Sequence, residues 1–311
     1  MSKKTALVTG GAGFVGSHIA DYLKNEGWNV VVADNLSTGK ESNISDDIDL
    51  ELIDLTTGDI NKLTKLIKPN SIFHTAAQVS VSKSTKLASF DAEQNIVVTI
   101  KILEALSTVG KGNESFLFIS TGGAIYGNTK TIPANESLIP KPESPYAISK
   151  FSSENYIKYF RKNHKIKTSI VRPANIYGPR QDPNGEAGVI AIFINSMLNN
   201  KNINIFGDGE NIRDYIYITD LVKGCILASE LYLPYPINLG TEKGTSVLEI
   251  FNTLSKYCKY KLNPVFLDKR PGDIDKIILD INKAKNLLKW SPDIILEDGL
   301  KRTIDWFVKN N

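Results

Sequence analysis

The stretch TALVTGGAGFVGS, residues 5–17, passes from an apolar run into a glycine-rich turn, and helical spacing follows over 17–25. This order predicts a strand, a tight turn and a helix. Glycines at 10, 13 and 16 allow the turn, let the backbone approach a pyrophosphate and let the helix pack closely on the strand. The helix N-terminus adds a partial positive charge, so the stretch predicts a dinucleotide-binding site.

The end of the second predicted strand indicates which dinucleotide binds. The apolar run 29–33 leads directly into Asp34. A carboxylate at this position can accept hydrogen bonds from both hydroxyls of the adenosine ribose. The next residue is Asn35 rather than Arg or Lys, so a 2′-phosphate would meet a carboxylate without a countercharge. NAD is therefore the predicted cofactor, in preference to NADP.

Strand-like and helical patterns alternate along the first half of the chain. Helical spacing near 61–67, 91–109 and 145–163 separates further strand-like runs at 50–53, 71–74, 116–119 and 168–172. This rhythm predicts an α/β fold of the Rossmann type, a doubly wound parallel sheet with ligands at the carboxyl ends of its strands.

After residue 172 the pattern loosens into short strands, polar loops and frequent Pro and Gly. We therefore predict an NAD-binding Rossmann domain over 1–172, to which the segment 211–240 returns. A smaller C-terminal α/β lobe over 173–311 is predicted to bind the substrate, with a cleft between the two lobes.

The segment SPYAISK, residues 144–150, places Tyr146 and Lys150 four residues apart at the start of a helical pattern. Side chains at that spacing share a helix face. A nearby ammonium favours the tyrosinate and lowers a tyrosine pKa from about 10 towards neutrality, where a phenol can act as a base. A snorkelling Lys beside a packed Tyr is the ordinary alternative. The dinucleotide-binding pattern upstream favours the catalytic interpretation.

Composition narrows the class of protein without deciding its activity. The net charge is +3 over 311 residues with no basic block, which does not favour nucleic-acid binding. No apolar run is long enough to cross a membrane and no signal peptide precedes the first strand, so we expect a cytoplasmic protein without a membrane partner. Cys225 and Cys258 lack metal-ligand spacing and the three histidines are scattered, so no metal site is expected.

Ordered motifs along nearly the whole chain resemble those of extended short-chain dehydrogenase/reductases, within the NAD-dependent epimerase/dehydratase family, and specifically UDP-glucose 4-epimerase-like enzymes. The motifs are TGGAGFVGSH (9–18), DNLSTG (34–39), HTAAQVSVSKS (74–84), STGGAIYG (120–127), SPYAISK (144–150), RPANIYGPRQ (172–181), IFGDGENIRDYIYITD (205–220) and RPGDI (270–274). The resemblance implies an NAD cofactor, a UDP-sugar substrate and a homodimer through helices near 91–109 and 145–163.

The resemblance also implies a set of cofactor-binding residues. They are Gly10, Gly13, Phe14, Val15, Gly16, Asp34, Asn35, Ser37, Thr38, Gly39, Asp54, Leu55, Ala76, Ala77, Gln78, Asn95, Tyr146, Lys150 and Pro173. Within the set, 34–39 would surround the adenosine ribose, 54–55 the adenine edge, and 76–78 the pyrophosphate and nicotinamide ribose. Pro173 would lie against the nicotinamide. Ordinary strand-end packing is the alternative for these positions.

By the same resemblance, tyrosinate at Tyr146 removes the proton of the sugar 4′-hydroxyl while C4′ passes a hydride to the nicotinamide, and Lys150 keeps the phenol ionised. Many relatives place a Ser or Thr hydroxyl where this chain has Gly122. Thr121 is the predicted replacement. An ordered water or the segment containing Ser80, Ser82 and Ser84 is the alternative.

The loop after the predicted strand 116–119 helps to choose among the reactions of the family. Related 4,6-dehydratases carry an Asp-Glu pair where this chain has Gly122 and Gly123. Decarboxylases place a Glu in this loop and 3,5-epimerases a Cys, and neither residue is present here. With no added acid or base, the 4-keto sugar can only turn over and take its hydride back on the opposite face. The pattern therefore predicts 4-epimerisation.

Substrate contacts are predicted mainly in the second lobe. The implied residues are Asn175, Ala187, Gly188, Val189, Phe206, Arg213, Arg270 and Asp273. The two arginines would bind the diphosphate, which a guanidinium can contact through two parallel hydrogen bonds. Asn175 would contact a phosphate or the sugar, Asp273 the uridine ribose, and residues 187–189 and Phe206 the uracil. Surface ion pairs and core packing are the ordinary alternatives.

The identity of the sugar is the least determined part of the prediction. Some relatives place a Tyr that excludes N-acetylated sugars where this chain has Ile277, which could leave room for an N-acetyl group or simply repack. UDP-glucose and UDP-galactose are the expected pair. UDP-N-acetylglucosamine, UDP-glucuronate, a net dehydrogenase or reductase that releases reduced cofactor, and a non-catalytic NAD-binding sensor are the alternatives.

Overall fold

The computed structural model describes residues 3–109, 112, 114–184, 188–269 and 273–310. Ala187 and Arg270, both predicted to bind substrate, lie outside these residues. The strands are β1 (Thr5–Thr9), β2 (Asn29–Asp34), β3 (Asp49–Leu52), β4 (Ser71–His74), β5 (Ser115–Ile119), β6 (Lys167–Pro173), β7 (Asn175–Tyr177), β8 (Asn204–Phe206), β9 (Ile212–Tyr217), β10 (Ile237–Leu239), β11 (Gly244–Ser246), β12 (Val265–Leu267) and β13 (Lys276–Ile277).

The α-helices are α1 (Phe14–Asn25), α2 (Ile60–Ile67), α3 (Val81–Lys86), α4 (Ala88–Ala92), α5 (Val98–Val109), α6 (Gly122–Ile125), α7 (Pro145–His164), α8 (Val189–Leu198), α9 (Ile218–Leu231), α10 (Val247–Cys258) and α11 (Leu296–Asn310). A π-helical turn, Glu93–Val97, joins α4 to α5 without a break, and a second, Ala284–Leu288, precedes α11.

The central sheet has seven strands in the order β3-β2-β1-β4-β5-β6-β10. Its pairings β3–β2, β2–β1, β1–β4, β4–β5 and β5–β6 are all parallel. The order 3-2-1-4-5-6 is that of a Rossmann fold, and it reverses between β1 and β4, where such sheets bind ligands. The predicted fold class is confirmed.

One side of this sheet is covered by an apolar cluster from the helices that follow the strands. Leu7 and Phe116 of the sheet pack with Leu63 of α2, Ile102 of α5 and Ile157 of α7, all of them buried. These residues recur at helical spacing in their helices, so each helix buries one apolar stripe against the strands. The packing fixes α5 and α7 on the sheet.

Two compact units divide the described chain. The first is formed within Met1–Ser120, Ser144–Val171 and Val222–Ile237, and the second within Thr121–Glu143, Arg172–Leu221 and Asn238–Asn311. The second unit contains a four-stranded sheet, β11-β9-β13 with β7 paired to β9, and the two-stranded sheet β12-β8. We predicted that NAD binds to 1–172 together with 211–240 and that the substrate binds to 173–311. Both assignments stay predictions.

None of the helices in the described ranges combines the length and the apolar character needed to cross a membrane. The cytoplasmic location stays a prediction.

The glycine turn after β1 is closely packed against the residues that follow β4. Gly10 has φ +69°, and a Cβ there would lie 2.6 Å from both Cα and N of Ala76. A Cβ at Gly16 would lie 2.2 Å from the carbonyl oxygen of Gly10. Both distances are far below a normal contact, so only glycine fits at these positions.

We expect Gly10→Ala to destabilise the protein strongly. A non-glycine residue at positive φ costs about 1–2 kcal/mol, and overpacking against the backbone of Ala76 adds about 1–3 kcal/mol. Gly27→Ala is the matched control, because Gly27 also has a positive φ, +82°, but its Cβ would meet nothing within 4 Å. Urea denaturation should show a larger loss of unfolding free energy for Gly10→Ala. Equal losses would contradict the steric argument.

Candidate active site

The start of α1 offers a cradle for a phosphate group. The N-cap of α1 is Gly13, which has no side chain to occupy the first N–H groups of the helix. Gly13 donates its N–H to the carbonyl of Gly10, at 3.1 Å, and thereby closes the turn. The exposed N–H groups and the absence of Cβ atoms fit the pyrophosphate of a dinucleotide. Phe14 and Val15, the first two residues of α1, are half-buried beside this turn.

Asp34, the last residue of β2, forms hydrogen bonds both to the glycine turn after β1 and to the loop that follows β2. Its Oδ2 accepts the N–H of Ala12 at 3.0 Å and its Oδ1 accepts the N–H of Leu36 at 2.8 Å. Asp34 is 8% exposed. A carboxylate oxygen has more than one acceptor position, so both oxygens can still accept from a ribose hydroxyl. The predicted ribose contact therefore has the acceptor atoms that it needs.

Asn35 and Asp54 follow the ends of neighbouring strands and contact each other. Asn35 Nδ2 donates to Asp54 Oδ2 at 3.2 Å, and Asn35 Oδ1 accepts the N–H of Ser37 at 3.0 Å. Hydrogen bonds from the hydroxyl and the N–H of Thr56 lower the pKa of Asp54. Ser37 and Thr38 are exposed, Gly39 is half-buried, and Leu55 belongs to the apolar core.

Asn95 holds the segment after β4 in place through four side-chain hydrogen bonds. Its Oδ1 accepts the N–H of Gln78 at 2.9 Å, and its Nδ2 shares two hydrogens among three acceptors at 3.0–3.1 Å, Gln78 O, Asp91 Oδ1 and Ser149 Oγ. Gln78 Nε2 also donates to Asp91 Oδ1 at 2.7 Å. Ala76 and Ala77 precede Gln78 and are half-buried. The structure thus brings 76–78 and Asn95 together.

The helix α7 begins at the predicted catalytic motif for identifiable local reasons. Ser144 is the N-cap and its hydroxyl accepts the N–H of Ala147 at 3.2 Å, while Pro145 occupies the first helical position. Tyr146 is half-buried, and its N–H donates to Ser84 Oγ at 3.1 Å.

Lys150, one turn further along α7, is 4% exposed. Its Nζ donates to the carbonyl of Ile119 at 2.9 Å and lies 4.8 Å from the centre of the Phe118 ring. Burial lowers the pKa of Lys150 to about 8, and the carboxylate of Asp91 opposes that shift. The ammonium therefore lies in an apolar surrounding, where it acts strongly on nearby groups.

The three serines predicted as an alternative source of a hydroxyl occupy different settings. Ser80 is the N-cap of α3, and its Oγ accepts the N–H of Lys83 at 2.9 Å. Ser82 is half-buried. Ser84 is buried, and its hydroxyl donates to Val81 O at 2.6 Å while it accepts from Tyr146. Ser84 therefore anchors the start of α7, and its contact with substrate stays a prediction.

In the second unit, the loop Thr121–Gly123 is closely packed. A Cβ at Gly122 would lie 2.5 Å from Leu279 Cδ1 and 2.9 Å from the carbonyl oxygen of Arg172. A Cβ at Gly123 would lie 2.9 Å from Oδ1 of Asn175. The loop therefore has no space for a larger side chain unless its neighbours move.

The predicted hydroxyl donor, Thr121, is the N-cap of α6 in an extended conformation and is largely buried. Asn175 begins β7, and its Oδ1 is buried without a hydrogen-bond partner among the described residues. Pro173 ends β6.

A buried polar network behind this loop was not predicted from the sequence. The hydroxyl of Tyr126 donates to Asn238 Oδ1 at 2.7 Å and accepts from Arg172 Nη1 at 3.0 Å. Asn238 in turn donates its backbone N–H to Glu136 Oε1 at 2.9 Å. Burial raises the pKa of Tyr126 to about 12. The network anchors the chain on both sides of α6. In the sequence, these residues stand out only because Tyr126 lies in the motif STGGAIYG and Arg172 begins the motif RPANIYGPRQ.

Two further predicted substrate residues, Arg213 and Asp273, interact with each other, and Ile277 stands opposite Arg213. Arg213 is in β9, its Nη1 donates to the carbonyl of Ile212 at 3.0 Å, and it interacts electrostatically with Asp273. Burial lowers the pKa of Arg213, and nearby acidic groups oppose the shift. Ile277 of β13 is buried and stands opposite Arg213 in the parallel register.

The remaining predicted residues lie elsewhere in the second unit. Gly188 is the N-cap of α8 and Val189 its first residue, and both are half-buried. Phe206 ends β8 and is half-buried.

A second unpredicted network lies beneath the first unit's site. The hydroxyl of Thr99 donates to Asn95 O at 2.6 Å and so accepts from His74 Nε2, 3.1 Å away. The other ring nitrogen, Nδ1, accepts from the hydroxyl of Thr9 at 2.7 Å. Burial lowers the pKa of His74 to about 3, with a smaller effect from Lys150. His74 is therefore neutral, with its proton on Nε2.

Across the described ranges, His, Cys, Asp and Glu form no cluster that could hold a metal ion.

A family model, the NAD dependent epimerase/dehydratase family, matches residues 6–240. The chain belongs to this family. The predicted resemblance to extended short-chain dehydrogenase/reductases of the UDP-glucose 4-epimerase kind is confirmed, and so is NAD as the cofactor.

Solved structures of relatives cover nearly the whole chain. The UDP-glucose 4-epimerase of Thermotoga maritima, solved with UDP-glucose, is 42% identical with a TM-score of 0.94, over 98% of this chain and 99% of its own. The UDP-N-acetylglucosamine 4-epimerase of Methanobrevibacter ruminantium is 33% identical with a TM-score of 0.92, over 100% of both chains. The UDP-glucuronic acid 4-epimerase of Bacillus cereus, solved with UDP-glucuronic acid and NAD, is 33% identical with a TM-score of 0.90, over 99% and 100%.

We expect Asp34→Asn to narrow the preference for NAD over NADP. The substitution removes the charge that is predicted to accept from the ribose hydroxyls and to repel a 2′-phosphate, so NAD affinity should fall by about tenfold or more. Isothermal titration calorimetry with NAD and NADP measures both affinities. Asp49→Asn, at the exposed start of β3, removes the same charge and should leave the ratio unchanged. An unchanged ratio for Asp34→Asn would contradict the role of this carboxylate.

Proposed function

We propose that the chain catalyses NAD-dependent 4-epimerisation of a UDP-hexose, with UDP-glucose and UDP-galactose as the preferred pair. Two observations support the proposal: the ammonium of Lys150, one turn after Tyr146 in α7, is buried, and Gly122 and Gly123 supply no acid or base. This combination supports oxidation and reduction at one carbon without elimination, decarboxylation or inversion at a neighbouring carbon.

The cofactor residues of the first unit fit a bound dinucleotide. The glycine turn and the N-terminus of α1 would hold its pyrophosphate, and Asp34 its adenosine ribose. A bound NAD would supply the acceptor and donor of the hydride that is exchanged at the sugar C4′. Asp54, Gln78, Asn95 and Pro173 are further proposed contacts.

Tyr146 is proposed as the catalytic base of the first half-reaction and the acid of the second. Its phenolate takes the proton of the 4′-hydroxyl and later returns it to O4′, so no proton is gained or lost over a turnover. Lys150 supports the phenolate because a positive charge in an apolar surrounding stabilises a nearby negative one. Thr121 is the proposed donor that supports the same oxygen.

The two glycines supply no acid or base for the competing reactions. A dehydratase needs a carboxyl group beside C5′ and O6′, and this chain has Gly122 and Gly123 in that place. A Cβ at Gly122 would meet Leu279 and two backbone carbonyls, and one at Gly123 would meet Oδ1 of Asn175. A 4-keto sugar would therefore find no added group that diverts it from reduction.

Binding energy for the substrate is proposed to come from the nucleotide diphosphate, because the sugar must rotate between the two hydride transfers. Arg213 and Arg270 are the proposed diphosphate ligands and Asp273 the ribose ligand. Asn175 has a buried Oδ1 without a partner among the described residues, which suits a phosphate or sugar contact made through the same amide. Ala187, Gly188, Val189 and Phe206 are proposed to surround the uracil.

The proposed sugar preference rests first on Ile277, which stands opposite Arg213 in the pairing of β13 with β9. Ile277 is buried, which favours repacking of this position over an open space for an N-acetyl group. Because no cation is identified as a partner for a 6′-carboxylate, a neutral hexose is preferred. Relatives that act on N-acetylated and uronic sugars make these the alternatives.

A homodimer through α5 and α7 is also proposed. Ile148, Tyr156 and Tyr159 of α7 and Val97 beside α5 are exposed apolar side chains. A second copy would remove them from water.

The function is tested by incubating the purified chain with UDP-hexoses, UDP-N-acetylhexosamines and UDP-uronic acids without added cofactor, and by reading the C4′ configuration by NMR. Interconversion of UDP-glucose and UDP-galactose is expected to be fastest. Conversion confined to another pair would overturn the sugar assignment. Stoichiometric oxidation that requires added NAD would replace the epimerase with a dehydrogenase.

We expect Tyr146→Phe to lower kcat by about 10²–10⁴, because the phenol supplies general acid–base catalysis, while NAD and UDP affinities stay near those of the parent protein. Tyr235→Phe is the matched control, since it removes a hydroxyl from an exposed position outside α5, α7 and the proposed site. A Tyr146→Phe rate within a few-fold of the parent would refute the assignment of the base.

A further inference from the structure

Asp91 of α4 is a buried carboxylate that is only half satisfied by hydrogen bonds. It is 1% exposed. Its Oδ1 accepts from Gln78 Nε2 at 2.7 Å and from Asn95 Nδ2 at 3.1 Å. Its Oδ2 is buried and has no hydrogen-bond partner within the described part of the chain. A buried carboxylate with an unpaired oxygen is costly, so its retention needs a reason.

Hydrogen bonding alone does not supply that reason. An asparagine at this position could accept the same two hydrogen bonds through Oδ1. It would avoid the cost of removing a full charge from water. The feature that distinguishes Asp91 from an asparagine is therefore its negative charge.

The contacts of Asp91 lead directly to the catalytic helix. Asn95 Nδ2, which donates to Asp91, also donates to Ser149 Oγ at 3.1 Å, and Ser149 Oγ donates to Tyr146 O at 2.9 Å. Ser149 immediately precedes Lys150. The carboxylate is thus tied by hydrogen bonds to the turn of α7 that carries both catalytic side chains.

Among the described residues, no carboxylate lies at hydrogen-bond distance from Nζ of Lys150. Its Nζ donates to one carbonyl, Ile119 O, and lies over the Phe118 ring. Asp91 interacts with it electrostatically and opposes the effect of burial on its pKa. His74, from β4, also interacts with Lys150 but is neutral.

We propose that Asp91 is the buried countercharge of Lys150, a positioning residue that keeps the ammonium protonated while Tyr146 cycles between phenol and phenolate. The proposal rests on the proposed function of Tyr146 and Lys150. Asp91 touches neither substrate nor cofactor in this assignment. It acts through the field that it exerts on Lys150.

Other charged groups on the elements around α7 are less suited to this role. Glu154, one turn beyond Lys150, is buried, but its Oε1 accepts from Ser120 Oγ at 2.6 Å. The remaining charged side chains lie on α3, the π-helical turn and α5 and are exposed or half-buried: Lys83, Lys86, Glu93, Lys101 and Glu104. Water screens such charges more strongly than it screens Asp91.

The test compares Asp91→Asn with the parent protein by NMR titration of ¹³Cε-labelled lysine in the cofactor-free protein, with the Lys150 signal assigned from its loss in Lys150→Met. The parent signal should titrate near pH 8. In Asp91→Asn the midpoint should fall by about one pH unit or more, because an opposite charge is removed from a poorly solvated site. The alkaline limb of kcat should move in the same direction, with activity recovering at lower pH.

Glu93→Gln is the matched control, because it removes a carboxylate from an exposed position two residues further along the same segment. It should leave the Lys150 midpoint in place. Asp91→Glu should restore most of the parent midpoint, and Asp91→Ser is the second charge-free variant if Asp91→Asn does not fold. An unchanged midpoint in a folded charge-free variant would overturn the proposal. The NMR readout does not depend on turnover, so a parent protein without epimerase activity would refute the proposed function separately.

Discussion

The close backbone contact between the glycine turn and the residues after β4 is the constraint on which the first unit depends. At Gly10 there is no room for a methyl group, because a Cβ would lie 2.6 Å from Cα of Ala76. Gly16 is equally restricted by the carbonyl of Gly10. This contact fixes where α1 begins, and therefore where its free N–H groups can meet a phosphate. It also joins the ends of β1 and β4, where the strand order reverses.

Buried polar contacts, and not apolar packing alone, position α7, which carries Tyr146 and Lys150. Asn95 links the segment after β4 to Asp91 and to Ser149, and Ser84 holds the first turn of α7 through the N–H of Tyr146. Buried networks of this kind are costly when broken and specify one arrangement when complete. Lys150 is thereby held in an apolar surrounding, where a single positive charge has its greatest effect on a phenol.

In the second unit, the important feature is the lack of space around Gly122 and Gly123. Gly122 and Gly123 are surrounded by Leu279, backbone carbonyls and Asn175. The network of Tyr126, Arg172 and Asn238 holds the loop on its far side. A loop fixed in this way cannot accommodate an extra acid or base without rearrangement. The proposed restriction to 4-epimerisation thus depends on small residues as well as on the proposed catalytic ones.

The sequence by itself determined the strand-turn-helix unit, the alternating α/β rhythm, the NAD cofactor and the spacing of Tyr146 and Lys150, because each is a local pattern of residue types. Only the tertiary structure decided that Lys150 is buried, that Ser84 binds the backbone of Tyr146, and that Asp91, Asn95 and His74 form one network. Apart from the Asp91–Asn95 hydrogen bond, those contacts join residues that are far apart in the chain. No local pattern records them, since burial and hydrogen-bond partners exist only once the helices and strands have packed.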